Sequence, residues 1–525
     1  MAKKYLPIGT QTFQEIQTRG DLYVDKTGYL HTLITAGRIY FLSRPRRFGK
    51  SLTISTLEAI FKGKRELFKG LYIDKTDYDW KTYPIIRLDL SQFNVRTKEG
   101  FVDELKAKLS SIAKEHGCEI DDDKSEGYML SQLIEKLAKQ SPTQKAVVLI
   151  DEYDKPIIEH IANLSVAEEM RNTLKSFYGI LKSSDEYIRF VLITGVSKFS
   201  KTSIFSDLNS LQDISMDKRF VGMCGYTQEE LEGNFEPYIN DTAIEIGMSK
   251  SELLDKIKYW YNGYRFGRHP LKVYNPFSTL LFFQRQEFTA HWFETGTPTF
   301  LVDLIQQKQF EIEQAESYDA DDRLMSDYRL EDLQIIPLLF QTGYLTIQEY
   351  TNDVYTLGYP NYEVKHSFLK VILEAKACNP GTTTSTLNKL VEALNAKNTD
   401  TFIDHLTTFF AQIPYNIQIK QERYYQSLFY LIFALIGCKI DAEVHTNNGR
   451  IDAVIQTKTD IYIFEFKLVF SPTSPDALTQ IANEALAQID HKNYSQKYKN
   501  NPNPIHKIGI AFDGNTRNIG AIAQQ

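Results

Sequence analysis

Three groups of residues have the types and spacing of reaction chemistry. The first is Gly49, Lys50 and Ser51, late in the run IYFLSRPRRFGKSLT. In a phosphate-binding loop, backbone amides at a helix N-terminus take phosphate oxygens, the lysine reaches the β- and γ-phosphates, and the hydroxyl ligates Mg²⁺. Arg47, Phe48, Gly49, Lys50, Ser51 and Leu52 form the stretch that would wrap the phosphates of ATP. The first glycine of the full GxxxxGK[ST] pattern is missing, because its place, five residues before Gly49, holds Arg44. The second group, Asp151 and Glu152, ends an apolar run about 100 residues further on. Two carboxylates at a strand's end suit a water-mediated Mg²⁺ ligand (Asp151) and a base that orients the attacking water (Glu152). The third group is Asp452, Glu465 and Lys467 in GRIDAVIQTKTDIYIFEFKLVF. A D…ExK set is what metal-dependent phosphodiester cleavage uses: two carboxylates hold Mg²⁺ or Mn²⁺, and the lysine stabilises charge or positions the nucleophile. A plain internal salt bridge, with Glu465 and Lys467 paired to each other or to distant residues, is the competing reading.

These residues need elements to hold them. IYFLS (Ile39–Ser43), PIIRLDL (Pro84–Leu90), AVVLIDE (Ala146–Glu152) and IRFVLIT (Ile188–Thr194) are near-continuous apolar runs separated by helical patterns. They predict an α/β domain whose parallel sheet is covered on both faces. Thr194, at the end of one such run, is placed either as a γ-phosphate sensor or as a helix N-cap. From about Thr227 the pattern turns helical and aromatic, with breaks at YNGYRFG and YNPFST. FQTGYLTIQEY and DVYTLGYPNYEV then read as a hairpin after a helix, a small winged-helix unit whose Glu349, Asp353 and Glu363 make an unattractive phosphate-facing wing. A helical stretch over about Thr384 to Phe410 leads to a last unit with strands KIDAEVHT, RIDAVIQT, IYIFEFKLVF and KIGIAFD. A long helix from about Asp476 to Tyr498 precedes the final strand. By period two, Ile461, Ile463, Glu465, Lys467 and Val469 share one strand face and Tyr462, Phe464, Phe466 and Leu468 the other. Glu422, before a helix whose Tyr425, Phe429 and Ile432 mark its buried face, is placed to complete the carboxylate cluster. Gln488 points inward on the Ile481 and Ala485 face of the later helix.

Composition narrows the classes. At 525 residues the chain is too long for one core, and 42% hydrophobic with 24% charged residues makes it globular rather than disordered. Apolar runs stop at the length of LFYLIFALI, short of the roughly 18 residues that cross a bilayer, so no membrane partner is expected. MAKKYLPIGT carries no secretory pattern, and Cys118, Cys224, Cys378 and Cys438 form neither a disulfide framework nor a zinc site; a reducing cytoplasm is expected. With 60 basic against 67 acidic residues and a net charge of −7, nucleic-acid contact has to come from a local patch.

In chain order, GTQTFQEIQTRGDLYVDKT, RPRRFGKS, VLIDEYDKP and LITGVSKFSKTSIFSDLNSLQDIS resemble the AAA-ATPase-like family that carries a C-terminal PD-(D/E)XK nuclease-type domain. GRID, FEFK and the QIDHKNY helix resemble the PD-(D/E)XK superfamily, with Asp452, Glu465 and Lys467 at the motif positions. The resemblance implies an ASCE-type P-loop core that tolerates Arg44, and a segment Gly9–Thr27 lying against the nucleotide. Arg46 and Arg47 are either phosphate contacts or solvated. The implied layout is an AAA-like ATPase domain (residues 1–230), a helical lid (231–330), a winged-helix-like and helical linker region (331–410) and a restriction-endonuclease-like α/β domain (411–525). The expected function is ATP binding and hydrolysis with Mg²⁺ (or Mn²⁺), joined to a metal-dependent nuclease-type domain acting on DNA or RNA; assembly into a homo-oligomer is compatible with it. The alternative is a nucleotide-switched regulatory or interaction protein whose last domain binds nucleic acid without cleaving it.

Overall fold

The computed structural model describes residues 3–525 except 199–203, 207, 293–298, 309, 323, 326–332, 378–380, 414–421, 438–440, 448–449, 472–473, 493–497 and 499. Of residues 299–300, 422–423, 441–447 and 450–452 it describes the backbone alone. The chain divides into two compact units, Met1–Phe300 with Ser317–Val364, and Leu301–Glu316 with Lys365–Gln525. The stretch 331–410 contributes to both.

The first unit is built on strands β1 (Ile39–Ser43), β2 (Ile85–Asp89), β3 (Ala146–Asp151), β4 (Ile188–Gly195) and β5 (Gln212–Asp213), in the order β2-β3-β4-β1-β5. Every pairing is parallel, and all residues of β1 and β3 are buried, as their unbroken apolar runs require. All the strands therefore end at one edge, where ligands of such sheets bind. Beyond the sheet, Thr227 and Ser249 close capping boxes with Glu230 and Glu252, starting the helices Gln228–Asn234 and Lys250–Tyr261. These helices and Pro276–Arg285 share a core of Phe235, Tyr238, Ile257, Tyr261 and Phe282, which also takes in Leu22 and Val24 from the N-terminal segment.

The helix Ile335–Thr342 and the hairpin of β7 (Thr346–Thr351) and β8 (Val354–Gly358) follow in the order read from sequence, and β6 (Tyr318–Ala320) adds a third strand in the order β6-β8-β7. The end of the hairpin reading is corrected. NYEV does not continue the strand but opens the helix Tyr362–Ala377, because Asn361 Oδ1 accepts from the Val364 amide at 3.1 Å and caps the turn after Pro360. Glu363 is therefore buried rather than on a wing, and it accepts from Ser278 Oγ at 2.9 Å and the Trp292 amide at 2.6 Å.

The second unit carries β9 (Asp441–Asn447), β10 (Arg450–Gln456), β11 (Ile461–Val469), β12 (Ile505–Asp513) and β13 (Asn518–Gln524), ordered β13-β12-β11-β10-β9. Only β11 and β12 pair in parallel, and the helix Pro475–His491 makes their crossover. That helix ends short of the expected Tyr498, and β13 is a strand the sequence pattern did not announce. The two faces of β11 separate as period two requires. Phe464 and Phe466 pack on Phe433 of the helix Glu422–Gly437, while Ile463 packs with Ile489 of the helix Pro475–His491. Gly509 on β12 is obligatory for this spacing: a Cβ there would lie 2.4 Å from both the Ala482 carbonyl oxygen and the Leu486 nitrogen. Among the described residues no helix is long and apolar enough to cross a membrane.

Candidate nucleotide and metal sites

The loop after β1 turns into the helix Lys50–Phe61 through Gly49, whose φ of 89° is a left-handed conformation that favours glycine. Lys50 is 5% exposed and donates from Nζ to the carbonyls of Arg44 and Pro45 at 3.0 and 3.1 Å, so its ammonium is turned into the loop. Burial lowers its pKa, with Asp151, Glu152 and Asp154 opposing the shift. Ser51, half-buried, follows in the first helical turn, and Leu52 lines a largely apolar pocket beside Gly49. Tyr23, Lys26, Thr56, Cys224 and Tyr226 line the same pocket. The N-terminal segment is fixed there by Phe13 N–H donating to Ser55 Oγ at 2.9 Å and by Lys26, which donates to Glu230 at 2.6 Å.

Arg44, where the first glycine was expected, is a brace under the loop. Its guanidinium donates to the carbonyls of Ser43 and Ser215 at 2.9 and 2.6 Å and lies 4.2 Å from the Phe266 ring centre. Burial pulls its pKa down to about 10, which leaves it charged at neutral pH. Phe48 is buried against Tyr264 and Phe266, so its side chain belongs to the core. Arg47 is exposed, with its guanidinium 4.9 Å from the Phe277 ring centre, and the Arg46 carbonyl accepts from Trp292 Nε1 at 3.1 Å.

Asp151 closes β3 with 1% exposure. Its Oδ1 accepts from Thr194 Oγ1 at 2.5 Å and from the Glu152 amide at 3.1 Å. No helix starts at Thr194, since β4 continues through Gly195; the N-cap alternative falls away. Glu152 sits at φ 52°, a strained conformation for a non-glycine residue, and burial raises its carboxyl pKa while Lys50 opposes the rise. β4 separates β1 from β3, so Thr194 stands between the strand that feeds the loop and the strand that ends in the two acids.

One residue here escaped sequence reasoning. Asp154 is fully buried and accepts from the amides of Val196 and Ser197 at 3.1 and 2.6 Å and from Ser197 Oγ at 2.6 Å, tying the acidic turn to the loop after β4. Its signal was a third carboxylate in DEYD ahead of the apolar KPII, a charge with no solvent to face.

In the second unit, the antiparallel register sets Asp452 directly opposite Glu465, and Arg450 opposite Lys467. Directly opposite residues share a sheet face. Glu465 is buried with 0% exposure. Glu465 and Lys467 do not pair with each other: Lys467 Nζ lies 3.1 Å from Glu484 Oε2, and Lys492 Nζ lies 3.3 Å from Glu465 Oε1. Gln488 is half-buried on the crossover helix, one turn before Lys492. Glu422 opens the helix Glu422–Gly437; its side chain, like that of Asp452, lies outside the described residues. Lys492 was the missed residue, and its spacing of four from Gln488, which puts both on one helix face, was the available signal.

A parallel sheet whose common edge gathers a GKS loop and two adjacent acids, and a mixed sheet carrying D…ExK on paired strands, define an ATPase-like unit and a nuclease-fold unit. Residues 7–205 match the family model described as Predicted AAA-ATPase, and residues 420–522 match that of the PD-(D/E)XK nuclease superfamily; the chain belongs to the family that joins the two. It is 38% identical over 532 aligned residues, 99% of this chain and 98% of the relative, to a protein of Azotobacter chroococcum mcd 1 described as "Uncharacterized protein in vnfD 5'region". No solved structure matches.

Proposed function

We propose that the protein binds and hydrolyses ATP in its first unit and couples that cycle to a metal-dependent nuclease-type domain acting on nucleic acid. The observation that carries the ATPase half is the arrangement at the sheet edge, with Lys50 at the helix start after β1, Asp151 and Glu152 at the end of β3, and Thr194 on the strand between. The amides of Arg47 to Leu52 with the Lys50 ammonium suit phosphate oxygens. Ser51 and Asp151 supply the hard oxygen donors that suit Mg²⁺, which would neutralise phosphate charge there. Glu152 orients the attacking water, Thr194 holds Asp151 in place, and the pocket between Gly49 and the N-terminal segment receives the base. In the second unit, Asp452 and Glu465 are the carboxylates for Mg²⁺ or Mn²⁺, which would polarise a phosphodiester, with Lys467, Glu422 and Gln488 beside them.

The finer layout we propose is an ATPase core over 1–230, a helical lid over 231–330, a winged-helix-like and helical region over 331–410, and the nuclease-type domain from 411. The test is calorimetric titration of ATP with Mg²⁺ into wild type and Lys50→Ala: the variant should lose binding, and equal affinity would overturn the P-loop reading. A second reading, a nucleotide-switched protein whose last domain binds without cleaving, is favoured by one observation. Lys467, the expected cation of the cleavage site, is held by Glu484.

A further inference from the structure

Glu465 lies on the face of β11 that meets the crossover helix, and its carboxylate is 0% exposed. A carboxylate that deep stays ionised only where cations or hydrogen-bond donors reach it. The lysine two residues along the same strand is engaged by Glu484 instead. An ammonium that reaches Glu465 is that of Lys492, 27 residues away in sequence. The crossover helix delivers it. Lys492 is its C-terminal cap, so the negative end of the helix dipole favours a cation there, and Gly509 lets the helix lie close enough to the sheet for the side chain to span the gap. Lys492 is also partly open to water, with 30% of its side chain exposed, so it can leave the carboxylate without unfolding the helix.

We propose that Lys492 is a positioning residue of the candidate metal site: its ammonium neutralises Glu465 and competes with a divalent cation for that carboxylate. Lys492, rather than Lys467, then sets the affinity of the site for metal. The inference rests on Asp452 and Glu465 being the metal carboxylates. It also gives Lys492 a purpose beyond packing, because a carboxylate oriented by a removable cation is ready for a divalent ion without reorganising the core.

The experiment is Mn²⁺ titration of the full-length chain without nucleotide, followed by calorimetry, with Glu465→Ala as the blank. Lys492→Met should bind Mn²⁺ about fivefold more tightly than wild type, since a competing charge is gone. Lys492→Arg should stay near the wild-type affinity, because it keeps the charge. Lys492→Met with unchanged or weaker Mn²⁺ affinity, at an unchanged unfolding midpoint, would overturn the proposal and leave Lys492 a structural partner. If that variant does not fold, Lys492→Gln is read in the same way. A wild type that binds no more Mn²⁺ than the blank would overturn the metal-site reading itself, and this proposal with it.

Discussion

Thr194 Oγ1 donates to Asp151 Oδ1 at 2.5 Å, between neighbouring strands and with both side chains buried. The bond orients a carboxylate that has little water to orient it. It also joins the acidic end of β3 to the strand that lies beside β1, so the three parts of the candidate nucleotide site form one hydrogen-bonded edge.

Thr194→Val keeps the shape and removes the donor. A hydrogen bond to a charged group contributes about 1.5–3 kcal/mol, so ATP hydrolysis should fall about tenfold or more while ATP binding persists. Phosphate-release assays on wild type and variant check this, and an undiminished rate would assign Thr194 to packing alone.

Glu152→Gln should retain ATP binding and lower hydrolysis by at least about a hundredfold, because the base is gone while Lys50, Ser51 and Asp151 remain. The pH profile carries a second signature. Burial raises the Glu152 carboxyl, and a base works only when ionised, so kcat should fall on acidification at a higher pH than an ordinary glutamate would set. An acid limb that survives in Glu152→Gln would point to another group.

Local patterns in the sequence carried much of this. The apolar runs of β1, β3 and β4 predicted a buried parallel sheet, and period two on β11 sorted Glu465 and Lys467 from the aromatic face, because both signals depend only on near neighbours. What stayed hidden depends on contacts across long stretches of chain. Nothing around Arg44 announces that its guanidinium will be taken by the carbonyl of Ser215, 171 residues on. Glu363 looked like a surface charge until Asn361 started a helix. The pairing of Lys492 with Glu465 follows from helix docking, which leaves no local pattern.

Asp452→Ala and Glu465→Ala should each abolish metal-dependent cleavage of a nucleic-acid substrate while the second unit keeps its fold. Nuclease assays with Mg²⁺ or Mn²⁺, run beside circular dichroism melts, decide the matter. Retained cleavage removes both residues from the chemistry, and loss of fold with no cleavage in wild type favours a purely structural role.

Asp460 offers a test of stability in the second unit. Burial pushes its carboxyl up, but hydrogen bonds from Lys397, Thr459 and His506 outweigh that and hold it at about 2. The folded value lies below the roughly 3.9 of an unfolded aspartate, so its stabilisation is full above that pH and lost as pH falls towards 2. Asp460→Asn should therefore melt below wild type at neutral pH, with the gap closing on acidification. A gap independent of pH would mean that the charge contributes nothing.

The brace formed by Arg44 bears on how a ligand is received. Glycine at that position leaves a loop free to close around phosphates, and the ordering entropy of the closure, about 1–2 kcal/mol for each residue fixed, then weakens binding. Here the entry to the loop is fixed by carbonyl contacts made on folding, so a nucleotide would meet a surface already cast, and the entropy of its binding would reflect released water more than a chain brought to rest.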